Sequence, residues 1–199
     1  MTTDEVFTII QKYFNDEYLG ICSLGRTAEI CYEKLPHSQV LFIDCMGCIT
    51  DVSVGVALGC PHNKVLSFDT DGSFLFNTAT IHTLAEMKSL LGNLKVLIFD
   101  NQILESGGGG KSRCVPLDWA ALFAAWGLSV SKIAAAEGVE QVLKKAIAEN
   151  ELSIIILSID NTSQINDCAK DIDGIESRYM FRRTISNQKG GTIHPCIKN

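Results

Sequence analysis

Two short polar clusters carry the donor chemistry of this chain. Thr70-Asp71-Gly72-Ser73 ends an apolar run and leads into a helical pattern. Asp100-Asn101 ends the next apolar run, after the 27 residues from 73 to 99. Backbone N–H groups at a strand-to-helix turn can cradle phosphate oxygens. A carboxylate beside them repels phosphate unless a cation lies between. Asp and Asn at neighbouring strand ends offer hard oxygen donors, and Mg²⁺ is commonly held by one or two such oxygens plus phosphates. Either cluster alone reads as an ordinary turn, because Asp, Asn and Gly all favour turns. Together they point to a divalent cation and a phosphorylated ligand.

Other patterns compete. Gly107 to Gly110 followed by Lys111-Ser112 looks like a nucleotide-binding P-loop, but that motif needs Gly at position 105, which is Glu. The run also begins well past Phe99, so it reads as a loop closing over a bound ligand. Cys45-Met46-Gly47-Cys48, with Cys60 and His62 downstream, is formally a zinc or redox pattern. A single CxxC without a second pair is better read as small buried hydrophobes. The eight cysteines are scattered and form no disulfide framework. His82 falls in a helical pattern, whereas His37, His62 and His194 lie in loops without evident partners.

The elements that must position these residues alternate. Strand-like runs cover 18–23, 39–43, 64–69, 94–99, 128–132 and 152–158. Helical spacing covers 4–14, 47–58, 78–91, 117–126 and 137–149. Several strands are continuous apolar runs, as expected for strands covered on both faces. The alternation predicts an α/β fold: three αβα layers around a mostly parallel six-stranded sheet with helices on both faces. Ligands of such sheets bind outside the carboxyl ends of the strands. Attention therefore falls on the loops at 23–27, 44–47, 69–73 and 100–111.

At 199 residues, with 46% hydrophobic content and 20% charged, the chain suits one domain with a substantial core. We expect that domain over 1–160, with a polar extension over 161–199 that includes a short basic helix at 175–185 and serves partner docking. The net charge of −6 disfavours a nucleic-acid groove. No apolar run approaches the roughly 20 residues of a membrane span. The acidic start lacks the basic region of a signal peptide, so the expectation is a cytoplasmic protein.

The spacing of Asp71-Gly72 and Asn101 resembles the motif of thiamine-diphosphate enzymes, in which Gly-Asp-Gly is followed at comparable distance by Asn-Asn. Ser73-Phe-Leu-Phe and Ile81-His-Thr-Leu84 extend the likeness, which covers roughly residues 18–158. Within that family the chain is most similar to the two-part decarboxylases of sulfopyruvate and phosphonopyruvate. The matching segments are Leu24-Gly25-Arg26-Thr27, Asp44-Cys45-Met46-Gly47, the small-residue helix 52–58, the loop 100–109, and Pro116 through Gly127. Thr70, Asp100, Asp44 and Gly107 depart from the family's usual residues.

The resemblance implies roles. Asp71, the Asn101 side chain and the Ile103 carbonyl would bind Mg²⁺. Gly72 and Ser73 would meet the diphosphate, and Gly25, Arg26 and Thr27 would line its far side, with Leu104 also against the cofactor. Met46 would prop the cofactor in its bent form, and the Asp44 carbonyl would accept from its aminopyrimidine. Glu105 is a candidate acid on the substrate side, and Lys111 and Arg113 are candidate basic groups for an anionic substrate. The family's main catalytic Glu comes from a pyrimidine-binding domain not found in this sequence. The expectation is thus a β-type subunit of a hetero-oligomer, completed by a separate α-type chain. Its reaction would be attack on the keto carbon of a 2-oxoacid and loss of CO₂. Protonation would then give an aldehyde, or addition an acyloin, so decarboxylase and carboligase both stand. A catalytically silent cofactor-binding subunit is the other alternative.

Overall fold

The computed structural model describes residues 1–23, 25–160 and 172–188, with the backbone only at Ser106. Leu24, His194, Cys168, Cys196 and most of the polar extension lie outside the described residues. Six parallel strands form the main sheet: β1 (Tyr18–Ser23), β2 (Val40–Ile43), β3 (Lys64–Thr70), β4 (Leu94–Asp100), β7 (Ser131–Ile133) and β8 (Ser153–Ser158). Their spatial order is β2-β1-β3-β4-β8-β7, and each of their pairings is parallel. A two-stranded antiparallel hairpin, β5 (Ile103–Leu104) and β6 (Gly110–Lys111), stands apart from it.

Alternation along the strands splits the core into two layers. Tyr18, Cys22, Leu66, Phe68, Leu97, Phe99, Ile155 and Leu157 face one way. They meet α1 (Thr3–Gln11), α2 (Arg26–Lys34) and α7 (Ala136–Ala148) through Val6, Phe7, Ile30, Val139 and Leu143. Leu19, Ile21, Val65, Val96, Ile98 and Ile156 face the other way. They meet α3 (Ile49–Gly59), α4 (Asp71–Phe76), α5 (Thr80–Glu86), α6 (Trp119–Ala124) and α8 (Gly174–Gln188). The fold is the expected three-layer α/β architecture. The mainly apolar strands follow from it, because every residue of β1 and β4 is buried.

Several elements differ from the sequence reading. The helix α2 is absent from it. Its N-cap is Gly25 at φ 97, which offers no side-chain cap, and its apolar stripe is short, resting on Ala28, Ile30 and Cys31 among charged residues. The pattern at 78–91 resolves into α5 and a 3₁₀ turn at Lys88–Leu90. The strand expected at 128–132 begins at Ser131 instead. Gly127, at φ 69, ends α6 with its N–H on the Ala124 carbonyl and the Leu128 N–H on the Phe123 carbonyl. This Schellman closure consumes residues 127 and 128. The basic helix at 175–185 is present as α8. It lies along edge strand β2, where Ser177 Oγ accepts from the Phe42 N–H and donates to the Val40 carbonyl. A covered edge strand is a protected one. Among the described residues no helix is long and apolar enough to cross a membrane.

Lys95 is the one lysine among the largest fully buried side chains. Burial pulls its pKa down to about 8. Its Nζ donates to the carbonyls of Gly92, Glu149 and Glu151, tying β4 to the loop before β8. Lys95→Met keeps the apolar stem and strips all three acceptors of their donor. Part-buried carbonyls that lose their donor cost stability, so the variant should lose about 1–3 kcal/mol in urea unfolding. A midpoint matching that of the parent would show that water replaces the ammonium.

Candidate functional site

Because the strands are parallel, their carboxyl ends open on one edge of the sheet. The chain runs from β1 outward to β2, then returns to the other side of β1 for β3. That reversal leaves a crevice at the ends of β1 and β3, where open α/β sheets bind ligands. A cleft lies there, lined among others by Gly25, Arg26, Thr27, Asp44, Met46, Gly72, Ser73, Asn101, Ile103, Leu104 and Glu105. Apart from Asp71 and the two candidate basic groups Lys111 and Arg113, these are all the site residues named from the sequence. Asp71 is fully buried beneath the lining.

The register explains Asp71. Thr70 pairs with Phe99 across β3 and β4, so Asp71 and Asp100, one residue further on each chain, emerge side by side. The hairpin then brings a cation to them. Gln102, at φ 61, turns the chain sharply. Asn101 Oδ1 accepts from the Ile103 N–H at 2.9 Å, and the Ser112 N–H returns to the Gln102 carbonyl. Residues 112 and 113 therefore land on the strand ends they left. Arg113 Nη1 lies 2.8 Å from Asp71 Oδ2 and 3.0 Å from Asp100 Oδ1, and Nη2 donates to Asp100 Oδ2 at 3.0 Å. Ser112 Oγ also donates to Asp71 Oδ2, and Trp119 Nε1 donates to Asp100 Oδ2 at 2.8 Å.

One oxygen is left over. Asp71 Oδ1 is buried without a hydrogen-bond partner among the described residues. Burial pushes the Asp71 carboxyl above the usual carboxylate range; Ser112 opposes this, the Asp100 charge adds to it, and Arg113 counters it. An orphaned, desolvated carboxylate oxygen is a place where a cation would be stabilising. Asn101 supplies an amide oxygen with a lone pair beyond its bond to Ile103, and Ile103 supplies a carbonyl. This donor set is hard and suits Mg²⁺ in kind.

The surrounding loops are tightly held. Thr70 Oγ1 caps α4 by accepting from the Ser73 N–H, which gives the Thr in place of Gly a local task. A Cβ on Gly72 would approach Leu104 Cδ1 to 2.9 Å, so the hairpin packs directly on this turn. The Gly47 N–H donates to Ser73 Oγ at 3.1 Å. Beneath, Asp69 accepts from Thr50 Oγ1 at 2.8 Å and from the Thr70 N–H, and burial raises its pKa too. Glu105 pairs with Arg26 at 3.1 Å across the cleft.

The two candidate basic groups depart from their expected role. Arg113 is committed to two carboxylates rather than offered to a substrate. Lys111 is exposed on β6 and is not among the residues lining the cleft. The glycine run is the tip of the hairpin, with Gly108 at φ 91 and Gly109 at φ 79, and the residues that follow form no helix, so no P-loop exists. Cys45, Cys48, Cys60 and His62 do not gather: no group of three or more His, Cys, Asp or Glu suited to a metal occurs among the described residues. His82 stacks on Trp126 and His37 on Tyr32. The reading missed the Ser112–Arg113 latch. Its only sequence signal is the pair of basic residues, Lys111 and Arg113, beyond a glycine turn.

A protein named sulfopyruvate decarboxylase subunit beta from Methanococcus maripaludis is 24% identical over 78% of this chain and 83% of its own length. A phosphonopyruvate decarboxylase from Streptomyces viridochromogenes is 27% identical over 88% of this chain. The match spans 44% of that longer protein. Among solved structures, an enzyme from Mycobacterium smegmatis described as thiamin diphosphate-dependent superposes with a TM-score of 0.66 at 19% identity. That superposition covers 80% of this chain and 32% of the other, and it carries the fold alone. Residues 32–157 match the family model of the thiamine pyrophosphate enzyme, C-terminal TPP binding domain, and the chain belongs to that family.

Proposed function

We propose that this chain is the β-type subunit of a thiamine-diphosphate-dependent 2-oxoacid decarboxylase, holding the cofactor's diphosphate and Mg²⁺ and completed by a separate α-type chain. The observation that carries this reading is the orphaned Oδ1 of Asp71, buried beneath a cleft at the sheet's switch point. Asp71, Asn101 and the Ile103 carbonyl would hold the metal, and Gly72 and Ser73 would meet the diphosphate. Gly25, Arg26, Thr27 and Leu104 would enclose it. Met46, 38% exposed at the cleft, would support the bent cofactor above the Asp44 turn. When bound, the cofactor supplies the electron sink for decarboxylation. This chain's share is orientation, exclusion of water by the hairpin, and the charge arrangement around Asp71. Glu105, held by Arg26, would move a proton only if that pair opens. The partner subunit is supported by the names of the relatives from Methanococcus maripaludis and Methanocaldococcus jannaschii, both called subunit beta.

A second reading, a catalytically silent cofactor-binding subunit, is favoured by one observation. Arg113 already supplies positive charge to Asp71 and Asp100. Decarboxylation of a 2-oxoacid by the chain with a co-expressed α-type partner, lost in Asp71→Ala, separates the two readings. Calorimetric binding of thiamine diphosphate that requires Mg²⁺ and disappears in Asp71→Ala supports the cofactor site of the decarboxylase subunit. Binding indifferent to Mg²⁺ and to Asp71 would sink it.

Arg113 makes its own prediction. In Arg113→Met two buried carboxylates lose their counter-charge, and breaking a buried pair on one side costs about 3–5 kcal/mol. The melting temperature should fall sharply at neutral pH. Millimolar Mg²⁺ should restore more stability to the variant than to the parent, because a ligand of the native state stabilises by mass action. Equal responses of the two proteins would place the metal elsewhere.

A further inference from the structure

The proposed function leaves Cys45 and Cys48 unused, and their geometry is specific. Their Sγ atoms lie 2.9 Å apart. The Cys48 N–H donates to the Cys45 carbonyl at 3.2 Å, and Gly47 adopts φ 82 at the third position of the turn so formed. A turn of this kind brings its end Cα atoms within about 7 Å. That approach overlaps the separation disulfides span, up to about 6.8 Å. Cys45 is exposed and lines the cleft; Cys48 is half-buried and caps α3. Cys22 and Cys31 also lie close together, but both are buried within the core. Cys114 is exposed and is not paired with another described cysteine.

We propose that Cys45 and Cys48 form a reversibly oxidisable dithiol at the rim of the cleft, a site of reaction with low-molecular-weight disulfides. The exposed Cys45, as thiolate, attacks one sulfur of the disulfide; a mixed disulfide forms and one thiolate leaves. Cys48 gives up its proton and attacks the Cys45 sulfur, and the second thiolate leaves. Two electrons pass from the pair to the reagent, which departs as two thiols. Cys48 is the resolving partner: its thiol is held above the ordinary range, first by its hydrogen bond with Cys45.

Closing the bond shortens the sulfur separation from 2.9 Å to about 2.05 Å, which staples the turn that carries Met46. The Gly47 N–H in that turn holds Ser73 Oγ, and the Gly47 carbonyl accepts from Asn77 Nδ2 at 3.2 Å. The redox state of the pair is thus passed directly to the start of α4. None of this depends on which ligand occupies the cleft.

The test is oxidation of the full chain by glutathione disulfide, followed by alkylation and peptide mass mapping. Both thiols of the 45–48 peptide should disappear as an internal disulfide and return with dithiothreitol, whereas Cys114 acquires only a mixed disulfide. In Cys48→Ser the mixed disulfide on Cys45, transient in the parent, should become the main product at that site. Phenylarsine oxide, which captures close dithiols, should protect both thiols of the unmutated chain from alkylation and needs no variant to fold. A persistent mixed disulfide at Cys45 in the parent would overturn the proposal. So would failure of the pair to react under conditions that modify Cys114.

Discussion

Two carboxylates at the ends of neighbouring parallel strands are the constraint on which this structure turns. The β3–β4 register sets Asp71 beside Asp100, and both are buried. Left alone they would repel each other in a medium that screens poorly. Arg113 resolves this with three short contacts, and Trp119 and Ser112 take further lone pairs. The hairpin exists in its observed path because residues 112 and 113 must return to the strand ends. Its close packing on Gly72, where a Cβ would intrude on Leu104, follows from the same return.

The latch also explains why Asp71 is poised rather than satisfied. Ser112 and Arg113 both reach Oδ2 and leave Oδ1 without a partner. The guanidinium fixes the rotamer of the carboxylate while spending only one of its oxygens. A carboxylate held this way is pre-organised for one more cationic contact, and burial, which still holds it above the usual carboxylate range, leaves that contact something to stabilise.

Much of this was legible in the sequence, for identifiable reasons. Strands buried on both faces show as unbroken apolar runs, and β1, β2, β3, β4 and β8 lie within about a residue of their expected bounds. The loops at strand ends follow from parallel topology alone, and the lining of the cleft comes from those loops. What was not legible depends on contacts distant in sequence or on elements too short for a period. The strands β5 and β6 have two residues each, fewer than any alternation can reveal. The helix α2 begins at a glycine and lacks a side-chain cap. Arg113 reaches Asp71 across 42 positions, and nothing in the local pattern marks that partner.

Charge in the cleft bears on what can enter it. Among the described residues Arg26 is the one basic residue of its lining, and it is paired with Glu105. Arg113, at the floor, is shared between two carboxylates, and Asp44 adds a further acid to the wall. Backbone dipoles at the strand-to-helix turns remain the main source of positive potential, and the Ser73 N–H is already engaged by Thr70. A diphosphate arriving alone would therefore meet a cleft whose fixed charges do not compensate it. Arriving with a divalent cation, it would bring the charge that Asp71 Oδ1 lacks. On the proposed function, the side-chain arrangement would make cation and anion binding mutually dependent, each supplying the counter-charge that the folded chain withholds from the other.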